Sequence, residues 1–363
     1  MSSDIIAEIL RKVDGSTLAI AASSSSGLMS IAFQEWLWEN LCSSLWPSTQ
    51  KEEVKQLISS LGGFRTFYGY CFPLLNVCCK HSILNFKKDY HEIFSVGVEY
   101  SGEEVVVVVD DDVPVSSSKD LVSLVDIHYN NKSIYSKVIS EEGMSHFHCR
   151  SSSLFPLSPF LIDLLCNCDG AIPSISIKVV HDREKDVDSK KIALLKMMKL
   201  SWILINTRTK RAVNLSSWKP LEVRRTFWGR ENDFTVRFGS ILPARYDSPL
   251  EIIACNITVS CRVVDHGYET MNLQINEITV RLEDVLGYEV NEREGFFAID
   301  RAMKWGKRSK RHDDIIEACR QMLEIQNEYI MEEKVQAIRR RMTPLHLLLL
   351  FAALALSYYY CFI

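Results

Sequence analysis

The sequence predicts an α+β protein. It has an N-terminal unit of three helices, a strand-rich, antiparallel sandwich-like domain, a C-terminal stalk helix and a single transmembrane helix. Three observations predict it. Apolar residues recur at helical spacing before residue 50, alternate at a period of two in several runs from about residue 93, and fill the stretch 345–363 almost completely. The 363 residues are 47% hydrophobic and 24% charged, which excludes a disordered chain and allows a core that stands without disulfides. A net charge of −4 argues against a whole-protein nucleic-acid binder. The eleven cysteines follow no framework spacing. Met1–Leu10 lacks the basic and long apolar regions of a signal peptide, so reduced thiols facing the cytosol are expected.

Ile5, Ile6, Ile9, Leu10 and Val13 share one helical face, with Asp4 and Glu8 in the half that the helix dipole favours. Gly15 is a suitable stop, and Ser16 or Thr17 can cap a second helix carrying Leu18, Ile20, Leu28 and Ile31. A third apolar cluster holds Trp36, Leu37, Trp38, Leu41, Leu45 and Trp46 and ends at Pro47. So small a unit buries little surface. Its wide apolar faces suit either a partner or packing against the rest of the chain.

Lys51–Leu61 has the spacing of an amphipathic helix through Val54, Leu57, Ile58 and Leu61, closed by Gly62-Gly63. The aromatic run Phe64–Phe72 is expected to pack the helical unit on the next domain. Strands are expected at Phe94–Tyr100 and Glu104–Val109. Asp110–Asp112 then forms a solvated turn, because the spacing of a calcium loop is missing. Asn130-Asn131-Lys132 signals a hairpin between Leu121–Tyr129 and Ser133–Ile139. Ser174–Val180 is a strand and His181–Lys191 a charged loop. Further strands are Leu200–Ile205, Arg211–Leu215, Phe234–Phe238, Leu250–Val264 and Met271–Leu282. Many short antiparallel strands without βαβ alternation or internal repeats indicate a sandwich.

Arg301–Arg311 is expected to be a solvated basic linker, and Asp313–Met342 a stalk helix. Leu345–Ile363 contains no Asp, Glu, Lys or Arg. As a helix it would match the roughly 30 Å hydrocarbon core of a bilayer. Pro344 suits its first turn, Arg339–Arg341 one interface and Tyr358–Tyr360 the other. Leu345, Leu347, Leu348, Leu349, Leu350, Phe351, Leu354, Leu356 and Tyr358 would face lipid. A C-terminal anchor would leave the bulk of the chain in the cytosol.

His146, His148 and Cys149, the pair Cys166 and Cys168, and Cys78, Cys79 with His81 are the metal-like groups. None has closed zinc spacing, so no metal or cofactor is expected. No phosphate loop, dinucleotide fingerprint or nucleophile elbow occurs, and no catalytic residue is nominated.

The run DIIAEILRKVDGSTLAIAASSSSGLMSIAFQEWLWENLCSSLWPS resembles an F-box. More narrowly, it is similar to plant F-box proteins that read D-I-x-x-E-I-L-x-x-L-D-G-x-T-L-A, then S-I-A, then L-W-E-N-L-C-x-x-x-W-P-S. SWILINTRTKRAVNLSSWKPL and DFTVRFGS resemble later blocks of the same group. The resemblance implies a non-catalytic subunit of a Skp–cullin–F-box ubiquitin ligase. Such a subunit binds a Skp-type adaptor, reaches a cullin through it, and recruits a protein substrate. It implies adaptor contacts from Ile5, Ile6, Ile9, Leu10, Leu18, Leu28, Ile31, Trp38 and Leu41. The expected division is 1–50 for the F-box, 51–92 for a helical and aromatic connector, 93–300 for substrate recruitment, 301–342 for linker and stalk, and 343–363 for the anchor. Ser2-Ser3 stand where the family has Leu-Pro, and Leu28-Met29 where it has Trp and Arg. Loss of an aromatic hot spot costs about 2 kcal/mol or more of binding. These departures leave open a second reading, a membrane-anchored module for a peptide, glycan or lipid with a degenerate F-box and no ligase role.

Overall fold

The computed structural model describes residues 3–75, 117–140, 161–163, 174–178, 187–226, 232–244, 252–265, 270–284, 287–306, 308–309, 313–328, 330–332 and 334–338. The expected strands at 94–100 and 104–109 lie outside these residues, as do Asp110–Asp112, the three histidine and cysteine groups and the apolar tail. Among the described residues no helix is long and apolar enough to cross a membrane.

The chain opens with α1 (Ser3–Leu10), α2 (Gly15–Ser24), α3 (Ser26–Ala32) and α4 (Glu35–Leu45). A 3₁₀ turn (Pro47–Gln50), α5 (Glu52–Ser60) and α6 (Phe64–Cys71) follow. The expected second helix is two helices. Ser25 is extended, with φ −156° and ψ 156°, and its side chain accepts a hydrogen bond from the Leu28 amide to cap α3. The cap of α2 is Asp14 rather than Ser16 or Thr17. Its carboxylate accepts from the Thr17 amide at 2.8 Å. Gly15 therefore begins α2 instead of stopping α1. Its lack of a side chain has a packing reason, since a Cβ there would lie 2.2 Å from the Tyr68 ring. Gly62 and Gly63 close α5 as expected, at φ +101° and +91°.

The strands are β1 (Leu74–Leu75), β2 (Leu121–Tyr129), β3 (Lys132–Ile139), β4 (Leu161–Asp163) and β5 (Ser174–Lys178). They continue with β6 (Met198–Asn206), β7 (Arg211–Asn214), β8 (Glu222–Arg225), β9 (Asp233–Pro243), β10 (Ile252–Asp265), β11 (Thr270–Glu283) and β12 (Arg308–Ser309). One antiparallel sheet has the order β3-β2-β6-β7, and a second runs β4-β11-β10-β9-β8 with β5 also on β11. Asn130 and Asn131, at φ 48° and 63°, make the two-residue turn that joins β2 to β3.

Strand alternation sorts the core into layers. Leu121, Val125, Ile127, Leu200, Trp202 and Leu204 pack between the sheets with Phe234, Val236, Ile257 and Ile278. On the other face, Val122, Leu124, Ile203, Ile205 and Ala212 join one cluster with Leu18, Trp38, Trp46, Phe67 and Tyr68 of the helices. The order is thus helices, four-stranded sheet, six-stranded sheet. The sandwich and the packing role of the aromatic run are as the sequence led us to expect.

Several segments differ from expectation, among them the short strands β1, β4 and β8, which the sequence does not lead one to expect. Part of the charged stretch is helical, as α7 (Val187–Leu195). The basic stretch is no solvated linker, because α8 (Glu292–Trp305) occupies its first part and β12 pairs with β1. There Arg301 donates to the Ala244 carbonyl, and Arg308 to the carbonyls of Tyr70 and Pro73. The helix beginning at 313 is docked over its first half, where Ile315, Cys319, Met322 and Ile325 pack on Leu74, Ile241, Ile252 and Ala254.

Candidate functional site

The N-terminal helices have an inner and an outer side, and their chemistry differs. On the inner side Trp46 meets Phe67 edge-on with ring centroids 5.6 Å apart, and Trp38 lies 5.4 Å from Tyr68. Each indole finds a partner. Trp38 Nε1 donates to the Ala32 carbonyl at 2.9 Å, and Trp46 Nε1 to Ser201 Oγ of β6 at 2.9 Å.

Two residues on, Ser48 reaches the same sheet. Its amide donates to Asp126 Oδ1 at 3.0 Å and its hydroxyl to Oδ2 at 2.6 Å, while Ser136 Oγ donates to Oδ1 at 2.6 Å. Asp126 is fully buried. Burial pushes its carboxyl above the usual value, against the pull of the hydrogen bonds from Ser136 and Ser48. Asp126 and Ser201 are paired across β2 and β6, so the W-P-S end of the motif is fixed to two adjacent strands. Sequence reasoning missed this role for Trp46 and Ser48, because their partners lie more than seventy residues away.

The outer side carries apolar surface. Of the nine side chains expected to face an adaptor, Ile5 and Ile9 are exposed at 54% and 53%, one helical turn apart on α1. Ile6, Leu28 and Leu41 are half-buried. Leu10, Leu18, Ile31 and Trp38 are buried in the helical core, so in this fold they support the surface from beneath rather than form it. The exposed set also includes Ile20, Met29, Phe33 and Trp36, which sequence reasoning did not nominate. Met29 and Phe33 are four residues apart on the side of α3 away from buried Ile31 and Ala32, a spacing that could have revealed them. Phe33 carries the Arg65 guanidinium 3.9 Å above its ring.

Lys55 pairs with Glu39 at 2.7 Å and links α5 to α4. Glu35 accepts from the Phe64 amide and ties the start of α4 to the start of α6. Among the described residues Cys42, Cys71, Cys255, Cys261 and Cys319 are buried, and burial pushes the thiols of Cys42, Cys71, Cys255 and Cys261 up. They act as small hydrophobes. No group of three metal-ligating side chains occurs among the described residues.

An apolar helical surface pinned to an antiparallel sandwich is the anatomy of a protein-docking module. Comparison with known proteins specifies which one. The chain is 32% identical over 287 residues to F-box protein At3g44326 of Arabidopsis thaliana, covering 78% of this chain and 68% of the relative. It is 28% identical over 319 residues to F-box protein At2g27310 of the same plant, covering 86% and 81%. Over 77 residues it is 35% identical to F-box protein GID2 of rice, covering 20% and 36%. No family model matches the chain, and no solved structure does. The chain belongs to the plant F-box protein family, whose members are non-catalytic substrate adaptors of Skp–cullin–F-box ligases.

Proposed function

We propose that the chain is the substrate receptor of a Skp–cullin–F-box ubiquitin ligase, held at a membrane by its C-terminal tail. The observation that carries the receptor reading is family membership combined with the exposed apolar side chains of α1–α4. Ile5, Ile9, Ile20, Met29, Phe33 and Trp36 are the exposed side chains available to a Skp-type adaptor, which would bring a cullin with it. The β-rich region would select a protein substrate. Ubiquitin transfer would follow from proximity, since holding substrate lysines near the charged carrier raises their effective concentration.

The anchor reading is carried by sequence alone. Leu345–Ile363 has the length and composition of a membrane span, flanked by Arg339–Arg341. It would leave the helical module and the sandwich on the cytosolic side.

Two experiments test these parts separately. The full chain, co-expressed with a plant Skp-type adaptor and the N-terminal half of a cullin, should co-purify with both in equal stoichiometry. Absence of both would favour a degenerate F-box. Deleting 344–363 should move the protein from the carbonate-washed membrane pellet to the supernatant. Retention in the pellet would remove the anchor.

A further inference from the structure

The last helix changes its apolar face part-way along. In its first half the buried residues are Ile315, Cys319, Met322, Leu323, Ile325 and Gln326, and this face packs on the sandwich. Near residue 330 the helix still meets the body. Gln326 donates to the Asp284 carbonyl at 2.8 Å, and Ile330 Cδ1 would lie 3.6 Å from a Cβ placed on Gly287. Beyond that point Met331, Val335 and Ile338 are exposed at 59%, 51% and 61%.

At ~100° per residue these three share one stripe, roughly 150° around the helix from the docked face. Upstream on the same outer side stand Glu324 and Glu328, both exposed. The side that points away from the protein is therefore charged alongside the sandwich, where Arg320 pairs with Glu317 one turn before Glu324, and apolar beyond it. Propensity does not call for this, because Lys, Gln or Glu would serve a solvated helix end as well.

We propose that this stripe lies in the headgroup–acyl boundary of a phospholipid bilayer, as an in-plane shoulder to the C-terminal anchor. The inference rests on the anchor reading of the tail. Three features favour lipid as the occupant. The apolar run Leu345–Ile363 begins seven residues after Ile338 in sequence. Lys334 is exposed on one edge of the stripe and Glu332 on the other, and Arg339–Arg341 follow in sequence, so that the charge next to the apolar run is basic and suits lipid phosphates. Three aliphatic side chains cover only on the order of a few hundred Å², short of the roughly 1,000 Å² that a specific dimer needs.

The test uses the full chain in vesicles of phosphatidylcholine and phosphatidylserine. Trypsin cleavage after Lys334 is followed by mass spectrometry and normalised to cleavage after Lys12, which is exposed on the N-terminal helices. The native chain should be cut after Lys334 at least tenfold more slowly than the Met331→Ser/Val335→Ser/Ile338→Ser variant, with both remaining in the carbonate-washed vesicle fraction. Equal rates in native chain and variant would overturn the inference and leave the anchor standing. Protection that fades as the protein-to-lipid ratio is lowered would also overturn it, since a second copy would then be the cover. If carbonate strips the native chain from the vesicles, the anchor fails. Lys334 protection before the wash would then keep the stripe as a peripheral contact, and its absence would end both.

Discussion

In β2 every residue is buried, whereas along β11 burial alternates almost residue by residue. The two strands belong to the two sheets of one sandwich, yet they meet different neighbours. β2 and most of β6 are covered on one side by the six-stranded sheet and on the other by the helices. The outer side of β11 carries half-exposed Asn272, Gln274, Glu277 and Thr279. Doubly buried strands become apolar on both faces, and singly buried ones alternate. The double covering of β2 is how the N-terminal helices are carried. They share a core with the sheet, and Asp126 and Ser201 are the polar positions on β2 and β6 that receive them. An adaptor on the outer helical side and a substrate on the sandwich would thus be held by one packed body.

The largest effect should come from the doubly covered sheet. Trp46→Ala removes a buried indole and its bond to Ser201, and should lower unfolding free energy by about 3–5 kcal/mol in urea titration. Ile9→Ala on the outer side should change it by less than about 0.5 kcal/mol. Equal losses at the two sites would break the distinction between inner and outer sides.

Next is Asp126→Ala, which leaves the Ser48 amide and the hydroxyls of Ser48 and Ser136 without their acceptor. A loss of about 3 kcal/mol is expected, read by the same titration. Gly15→Ala should cost about 1–3 kcal/mol, because the new methyl drives into Tyr68 unless α2 shifts off α6. A wild-type thermal midpoint would show that α2 is not held so closely.

The smallest effect is on pH dependence. Burial raises the Asp126 carboxyl above its ordinary value of 3.8. The folded state therefore binds this proton more tightly than the unfolded state does. The resulting contribution to stability is complete below 3.8 and is lost as pH rises through the folded value. Asp126→Asn should flatten that limb when thermal midpoints are compared across pH. An unchanged slope would assign the limb to other carboxyls.

The β-rich half was largely legible in sequence because its signals are local. Asn130-Asn131 supplies the left-handed residues of a two-residue hairpin, and the two-residue periodicity of β10 and β11 needs no knowledge of their neighbours. The missed helices, α7 and α8, have short apolar faces set among charges, and the missed strands β1, β4, β8 and β12 are only two to four residues long, too short for a period of two to register. For α8 the signals were present, with Asn291 as cap and Phe296, Ile299, Ala302 and Met303 at helical spacing.

The docking surface was legible only in part, for a physical reason. Ile5, Ile6, Ile9 and Leu10 spread over a wide face of α1, an arc of roughly 140°, and periodicity cannot say which part of that face meets the core. That is decided by other helices, so Leu10 is buried while Ile5 and Ile9 stay open. A double charge substitution at Ile9 and Leu10 would strike core and surface at once. Ile5→Asp with Ile9→Asp strikes the surface alone.

The most direct test of the account is the affinity of the full chain for a plant Skp-type adaptor, measured by calorimetry beside the Ile5→Asp/Ile9→Asp variant. The native chain should bind at micromolar affinity or tighter. The variant should lose at least a hundredfold, with the two unfolding at the same temperature. Equal binding by both chains, or no binding by the native one, would contradict it.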